Sequence, residues 1–255
     1  MPAISKPIDY LICEGPTDSY FVSLYLERKL GYLYNPTAAN KYKKIHKNCT
    51  VICLSGKTRD VLIYGAGGSS NIVEVIDSIV LTATKNVNQS FRIAVIIDRD
   101  IKDDKECYSL VKNDEISFQI NKWSDGSINS LFLLAGSDEY EKIPYLSFFS
   151  VIPETGNGAF ENVLMEAILD KEPSIHSETI AFYDSLSTDA KKYINKNRLV
   201  LKAKLNTMLL LIDPENTFSS LQSKYQLIDL NDENIKRNFG FLNNFIDNID
   251  IKESH

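Results

Sequence analysis

The chain has 255 residues, a net charge of −6 and a hydrophobic content of 44%. These values predict one large domain, or a domain with an appendage, and the negative charge excludes a global electrostatic attraction to nucleic acid. The sequence contains no run of about 18 apolar residues and no signal-peptide pattern, so we expect no membrane span. The four cysteines lack paired metal-ligand spacing, so we expect reduced thiols and a cytoplasmic protein.

The N-terminal stretch predicts a strand followed directly by a helix. Residues 8–13 are mostly β-formers, and Pro16 suits the first turn of a helix that ends at Gly31. Glu14 then lies at the tip of the strand, and Asp18 lies in the first helical turn. Asp18 is interpreted either as an acid that caps the helix or interacts with its dipole, or as a group that shares a site with Glu14.

Residues 32–60 look like an insertion in the chain, and they carry a cluster of basic residues. An Asn-Pro-Thr sequence breaks the chain near its start, and residues 50–54 predict a short strand. A solvated excursion is one interpretation, and a flap that contacts the phosphates of a nucleic acid is the other. The basic residues that would make those contacts are Lys43, Lys44, Lys47, Lys57 and Arg59.

The chain otherwise alternates between strands and helices. Residues 61–64 predict a strand, and a Gly-rich turn leads from it into a helix over 72–80. That turn lacks the Lys-Ser/Thr pair of a P-loop, so we interpret it as a tight turn and not as a phosphate site. Further strands are predicted over 116–120 and 146–152, and a further helix over 159–169.

The most informative segment is the apolar run Ile93–Ile97, which ends in two acids. Five apolar residues in a row predict a strand that is buried on both faces. If the extended geometry continues, Asp98 and Asp100 lie on one side, at the sheet edge where α/β proteins place their ligands. Carboxylate oxygens suit Mg²⁺ or Mn²⁺, and the alternative is a solvated turn after a buried strand.

The sequence pattern predicts helices in the C-terminal part of the chain. Glu161 lies in the first turn of the helix predicted before it, where an acid commonly interacts with the helix dipole. From about residue 171 only helical patterns occur, with a basic stretch over 191–204. Because strands alternate with helices before that point, we expect an α/β fold with a mainly parallel sheet flanked by helices. We therefore predict an α/β domain over 1–170 and a helical layer over 171–255 packed on it.

Two short motifs carry a resemblance to a known family. Glu14-Gly15-x-x-Asp18 and Asp98-x-Asp100, each after an apolar strand, resemble the Toprim domain of bacterial primases, topoisomerases, recombination-repair proteins and overcoming-lysogenization-defect (OLD) nucleases. The spacing of the first motif is most similar to the OLD branch. Residues 158–164 and 202–215 are similar to segments of small Toprim-like bacterial proteins. The insertion over 32–60, and the lack of a preceding ATPase segment, a primase zinc module or an identifiable topoisomerase tyrosine, depart from those relatives.

The resemblance implies a Toprim-like (Rossmann-like) fold and a nuclease, dependent on Mg²⁺ or Mn²⁺, that hydrolyses DNA in preference to RNA. The metal ligands it implies are Glu14, Asp18, Asp98, Asp100 and Glu161, and the residues it implies as catalytic are Glu14, Asp98, Asp100, Lys202 and Lys204. Two alternatives remain open. One is a non-catalytic or partner-dependent module that works with a separately encoded ATPase in phage defence or DNA repair, and the other is a small-molecule phosphotransfer enzyme.

Overall fold

The structure is a computed structural model that describes residues 6–43, 49–83, 91–112, 127–134, 140–214 and 224–247. It confirms the α/β class. The chain divides into two compact units: unit 1 comprises residues 1–97, 102–151 and 241–255, and unit 2 comprises residues 98–101 and 152–240. No helix in the described ranges is both long enough and apolar enough to cross a membrane.

A single sheet carries most of unit 1. Its strands are β1 (Ile8–Cys13), β2 (Leu33–Tyr34), β3 (Thr50–Ser55), β4 (Asp60–Gly65), β5 (Phe91–Asp98), β6 (Ser127–Leu134) and β7 (Tyr140–Ile152). They form a seven-stranded sheet in the order β2-β3-β4-β1-β5-β7-β6. β1 pairs in parallel with β4 and with β5, whereas the β2–β3, β3–β4 and β6–β7 pairs are antiparallel. The parallel pairing expected from strand-helix alternation is therefore found at the centre of the sheet.

Each unit contains five α-helices in the described residues. Unit 1 contains α1 (Pro16–Leu30), α2 (Pro36–Lys43), α3 (Ile72–Ala83), α4 (Asp104–Ser109) and the C-terminal α10 (Phe241–Asp247). Unit 2 contains α5 (Phe160–Lys171), α6 (Pro173–Ser185), α7 (Thr188–Lys191), α8 (Asn197–Ile212) and α9 (Glu233–Phe239). α1 and α3 both contact β1, and every residue of β5 is buried, as its unbroken apolar sequence predicts.

The described parts of residues 32–60 contribute two strands to the sheet. The predicted short strand is present as β3, which pairs with β4 along its full length. The four central residues of β3, Val51–Leu54, are buried, and β2 extends the sheet by one further strand. β3 is short and adjoins a lysine-rich stretch. The composition of the region therefore does not indicate that β3 belongs to the sheet.

Unit 2 joins α5 to the helices that follow it, which differs from the boundary predicted near residue 170. α5 contacts α6, α8 and α9, and the ring of Phe160 lies edge-on to the rings of Tyr225 and Phe239. α10 belongs instead to unit 1, where Phe245 packs against Phe148 with ring centroids 5.3 Å apart. Aromatic contacts thus occur within each unit, and each ring buries a large apolar area.

The cysteines agree with the expectation of reduced thiols. All four lie in the described part of the chain, and none forms a disulfide bond. Burial, reinforced by the charge of Asp60, raises the pKa of Cys53 to about 12. The Cys53 thiol is therefore protonated and poorly nucleophilic at neutral pH.

A buried ion cluster lies where β1 begins. Asp9 is fully buried, and Arg59 donates hydrogen bonds to both of its carboxylate oxygens, at 2.8 and 2.6 Å. The backbone N–H of Arg92 donates to the same carboxylate at 3.1 Å, and its Nε lies 3.8 Å from Asp9 Oδ2. Arg59, which the sequence suggested as a nucleic-acid contact, therefore has a structural role at the opposite end of β1 from Glu14.

The start of α1 is closed by Asp18. The backbone N–H of Gly15 donates to Asp18 Oδ2 at 2.8 Å, so the acid caps the helix in the way that the first interpretation of its position expects. The Gly-rich turn after β4 lies against this corner, since a Cβ on Gly65 would come within 2.9 Å of the Gly15 carbonyl oxygen. Glycine at position 65 thus permits the close approach of β4 to the first turn of α1.

The Asp9–Arg59 pair yields a stability prediction. We expect Arg59→Met to lower the free energy of unfolding by about 3 kcal/mol, because it leaves a buried carboxylate with fewer donors. Urea unfolding measures the change. Lys57→Met removes an exposed charge two residues away, and we expect it to change the same quantity by less than about 0.5 kcal/mol. Equal stability of the two variants would contradict the structural role of Arg59.

The Asp18 cap yields a second prediction. Asp18→Ala removes the acceptor for the Gly15 N–H and should lower the free energy of unfolding by about 1 kcal/mol. Asp18→Asn retains an acceptor oxygen and should recover most of that loss, although it removes the charge. Thermal unfolding of the two variants measures the difference, and a loss of stability in Asp18→Asn as large as in Asp18→Ala would show that the charge, and not the cap, is what matters.

Candidate functional site

Asp98 is an acid of unit 2 whose two carboxylate oxygens both accept hydrogen bonds. It is the last residue of β5 and is only 2% exposed. Its Oδ1 accepts a hydrogen bond of 3.0 Å from the backbone N–H of Phe160, and its Oδ2 accepts one of 2.6 Å from the Arg198 guanidinium. Both oxygens are therefore held, one by the N-terminus of α5 and one by α8. A charged donor and a helix N-terminus both favour the ionised form of a carboxylate.

Asp100 lies on a tight connection and not on a continued strand. β5 ends at Asp98, and Asp100 adopts a left-handed backbone conformation with φ of 52°. Asp100 and Gly158 exchange two backbone hydrogen bonds of 2.6 and 2.8 Å. The extended geometry on which the expected placement of Asp98 and Asp100 on one side depended therefore ends at Asp98. What joins the two acids to the start of α5 is the backbone bridge to Gly158 and the bond to Phe160.

Gly158 is required at this bridge. Its φ is 142°, which strongly favours glycine, and a Cβ would come within 2.9 Å of the Asn162 side-chain oxygen. That same oxygen accepts a hydrogen bond of 2.9 Å from the backbone N–H of Ala159, just before α5 begins. The Gly158-x-x-Glu161 sequence thus spans the turn into α5, and this turn fixes the position of Glu161.

Glu161 lies in the first turn of α5 and is completely buried. Within the described ranges, neither of its carboxylate oxygens has a hydrogen-bond donor. The Lys202 ammonium lies 3.9 Å from Oε1, which is an ion-pair distance and longer than a hydrogen bond. A buried carboxylate without donors is unfavourable unless an opposite charge compensates it. Lys202 provides that charge here.

Both cations come from α8. Arg198 and Lys202 are four residues apart, so they lie on one face of the helix. Their side chains are 33% and 37% exposed, whereas the carboxylates they face are 3% and 1% exposed. We refer to Asp98, Glu161, Arg198 and Lys202 together as the acid–cation cluster. It places two buried acids beneath two cations that reach solvent.

Lys204 does not join this cluster. Its ammonium lies 3.8 Å from Asp184 Oδ1, and Asp184 belongs to α6. Arg198, by contrast, was not among the residues singled out from the sequence. The available signal was the spacing of Arg198 and Lys202, but four other lysines occur between residues 191 and 204 and obscure it.

The acid–cation cluster offers few ligands to a divalent cation. Within the part of the chain that the structure describes, no three carboxylate, histidine or cysteine side chains are grouped closely enough to hold a metal ion. Asp98 uses both oxygens for Phe160 and Arg198. The feature that does fit a cation is Glu161, whose two buried oxygens accept no hydrogen bond within the described ranges. The arrangement is therefore a pair of buried acids neutralised by side-chain cations.

The remaining predicted site residues lie in unit 1 or outside the described ranges. Glu14 follows β1, is 4% exposed, and its carbonyl oxygen accepts a hydrogen bond of 2.8 Å from the Gly68 N–H. Asp18 caps α1 in the same unit. Lys57 is exposed. Lys44 and Lys47 lie outside the described residues, as does the side chain of Lys43 at the end of α2.

Comparison with known proteins gives a family but no activity. The hypothetical protein PH0156 from Pyrococcus horikoshii OT3, known from a crystal structure, is similar to this chain with a TM-score of 0.47 and 15% identity, over 94% of this chain and 99% of that one. No curated protein matches the chain. The family described as "Protein of unknown function (DUF3226)" matches residues 8–247. Because that match spans nearly the whole sequence, the chain belongs to the DUF3226 family.

Proposed function

We propose that this protein is a divalent-metal-dependent nuclease of the Toprim type that hydrolyses phosphodiester bonds in DNA. The observation that carries the proposal is the acid–cation cluster, in which the buried Asp98 and Glu161 each face a partly exposed cation from α8. The resemblance of Glu14-Gly15-x-x-Asp18 and Asp98-x-Asp100 to Toprim motifs supports the same reading.

The charges in the cluster suit a phosphodiester. The chain as a whole is negative, so attraction to a polyanion has to be local. Arg198 and Lys202 supply two positive groups that reach solvent, and a guanidinium matches the geometry of phosphate oxygens. Lys202 makes no short hydrogen bond to Glu161, so its ammonium has donors to offer to an incoming phosphate.

Carboxylates such as those of Asp98 and Glu161 are typical ligands for Mg²⁺ and Mn²⁺. Asp98 and Glu161 would hold the ion. A bound Mg²⁺ or Mn²⁺ would supply Lewis-acid polarisation of the phosphate and a water of lowered pKa. Asp100 bridges to Gly158 through its backbone and thereby fixes the turn that carries Glu161. Asp18 has the weaker claim to a metal, since its carboxylate closes α1.

One observation favours a second candidate function. The described acids form no group of three, and Arg198 already neutralises Asp98. A protein in this state is consistent with a module whose hydrolytic activity depends on a partner, such as a separately encoded ATPase. The two candidates differ in what the isolated chain does to DNA.

Nicking of supercoiled plasmid with Mg²⁺ or Mn²⁺ tests the nuclease. We expect the wild-type protein to nick, and we expect Asp98→Asn and Glu161→Gln each to lower the rate at least about 100-fold, because each removes a charged ligand. Lys202→Met should lower it by a similar factor through the loss of phosphate stabilisation. Lys204→Met removes an equivalent charge that faces Asp184, and it should retain the wild-type rate.

The outcomes separate the candidates. Nicking that survives in Asp98→Asn and Glu161→Gln would remove the acid–cation cluster from the mechanism. If the folded wild-type protein binds Mn²⁺ but nicks only when a host ATPase is added, the partner-dependent module is the better description. Equal losses in Lys202→Met and Lys204→Met would mean that general electrostatics, and not position on α8, explains the effect.

A further inference from the structure

The segment that leads into α8 contributes no side chain to the core. It comprises α7 and a 3₁₀ turn over Lys192–Ile194, and neither contains a buried residue. The 3₁₀ turn contacts both α7 and α8, so its place in unit 2 is fixed although its side chains face solvent. We refer to residues 191–196 as the basic turn.

The basic turn begins the most positive stretch of the chain. Residues 190–212 contain no Asp or Glu, and residues 191–204 contain six basic residues, in a protein whose net charge is −6. Three of the six lie in the basic turn and are exposed: Lys191, Lys192 and Lys196. A positive surface of this kind attracts a polyanion locally, although the chain as a whole repels one.

The contacts that these lysines make are on the surface. Lys192 Nζ lies 3.9 Å from Asp189 Oδ1, and the Asp189 side chain is 95% exposed. Lys191 Nζ donates to the carbonyl oxygen of Asp184 at 3.1 Å, also at an exposed position. Because exposed ion pairs and hydrogen bonds contribute little free energy, both ammonium groups can exchange these partners for an external anion.

An exposed aromatic ring lies in the middle of the basic turn. Tyr193 is 77% exposed, more than any other aromatic residue in the described ranges, and Lys192 Nζ lies 5.2 Å from its ring centroid. Rings flanked by cations bind single-stranded nucleic acids, because bases stack on the ring while the cations contact phosphates. A duplex cannot use the ring in this way without unstacking its bases.

We infer that the basic turn binds a single strand of nucleic acid, with a base stacked on Tyr193 and the adjoining phosphates on Lys192 and Lys196. The inference deepens the proposed function by naming the class of substrate. It rests on that function only for cleavage of the strand, because binding through these groups needs no metal ion.

The basic turn is close enough to the acid–cation cluster for one strand to reach both. Tyr193 and Arg198 are five residues apart, so their Cα atoms lie within about 18 Å of each other. Sites for single strands extend over roughly 4–16 nucleotides. A strand stacked on Tyr193 can therefore bring a later phosphate to Arg198 and Lys202, whose side chains reach solvent.

Fluorescence anisotropy in EDTA tests the binding. The full chain is titrated into a labelled oligothymidylate of about 12 nucleotides, and into a DNA hairpin with as many phosphates that is closed by a non-nucleotide linker. We expect the single strand to bind at least about tenfold more tightly, because only its bases are free to stack. An oligouridylate of equal length identifies whether DNA or RNA binds more tightly, and preference for either over the hairpin supports the inference.

Substitution of the ring separates stacking from charge. Tyr193→Ala should weaken binding of the oligothymidylate about tenfold and leave binding of the hairpin within about twofold of wild type. Tyr193→Phe retains the ring and should bind the oligothymidylate as the wild type does. Tyr34→Ala, the matched control, removes a ring that is 54% exposed in unit 1 and should also bind as the wild type does. Because the turn buries no residue, we expect the Tyr193 variants to fold.

The salt dependence of binding tests the lysines. Lys192→Met/Lys196→Met should lower the slope of log Kd against log salt concentration by about 1.4, since each phosphate contact on a single strand contributes about 0.7. Lys171→Met/Lys236→Met removes two exposed charges elsewhere in unit 2 and should leave the slope unchanged.

Three results overturn the inference. The first is equal affinity for the single strand and the hairpin, and the second is wild-type affinity for the single strand in Tyr193→Ala. The third is sedimentation with phosphatidylserine vesicles that Tyr193→Ala abolishes, without binding of any oligonucleotide, which would identify the basic turn as a contact for an anionic membrane surface.

These results are distinguishable from those of the nicking experiment. Binding of the single strand that depends on Tyr193 in EDTA, without metal-dependent nicking by the wild type, supports the inference and contradicts the nuclease. Metal-dependent nicking that is lost in Asp98→Asn, without binding that depends on Tyr193, supports the nuclease and contradicts the inference.

Discussion

The Asp98 carboxylate is buried at the end of a strand that is itself buried along its whole length, so each of its oxygens needs a partner inside the protein. Removing one partner from such a group costs about 3–5 kcal/mol, because an uncompensated charge is then left in the interior. The Phe160 N–H and the Arg198 guanidinium meet this requirement. In doing so they fix the start of α5 and the start of α8 with respect to Asp98. Much of the arrangement of unit 2 depends on this one buried charge.

The hydrogen bond that Asp98 requires from Phe160 also positions a second buried acid. Glu161 follows Phe160 directly, so the bond that holds Asp98 also sets the place of a second buried acid. Its compensation by Lys202 at 3.9 Å is looser than that of Asp98 by Arg198. One acid is thus firmly neutralised and one is weakly neutralised, by cations that extend to the solvent.

Local patterns predicted much of the fold. β1 and β5 are runs of apolar residues with clear ends, and α1 has both a proline start and a glycine stop, so their limits follow from short-range physics. Residues 32–60 were harder, because the composition predicts β3 but not its antiparallel pairing with β4. β6 was not anticipated, and the strand predicted over 116–120 lies outside the described residues.

The site was predictable only where a single element determines it. Asp98 and Glu161 stand out because each follows a recognisable boundary, the end of a strand or the start of a helix. Arg198 does not stand out, since its importance arises from the packing of α8 beside Asp98 and Glu161, which lie much earlier in the chain. Asp18 is the opposite case. It stands out in the sequence, but the ordinary capping role of a first-turn acid accounts for its hydrogen bond from the Gly15 N–H. Long-range pairing is what the sequence alone leaves undetermined.

The most direct measurement is X-ray diffraction, at a wavelength with strong manganese anomalous scattering, from crystals grown with Mn²⁺. We expect an anomalous peak within bonding distance of the Asp98 and Glu161 carboxylates. Such a peak would establish the acid–cation cluster as a metal site. Crystals in saturating Mn²⁺ that show no peak there, with Arg198 still bound to Asp98, would contradict the assignment and identify the cluster as a structural ion network.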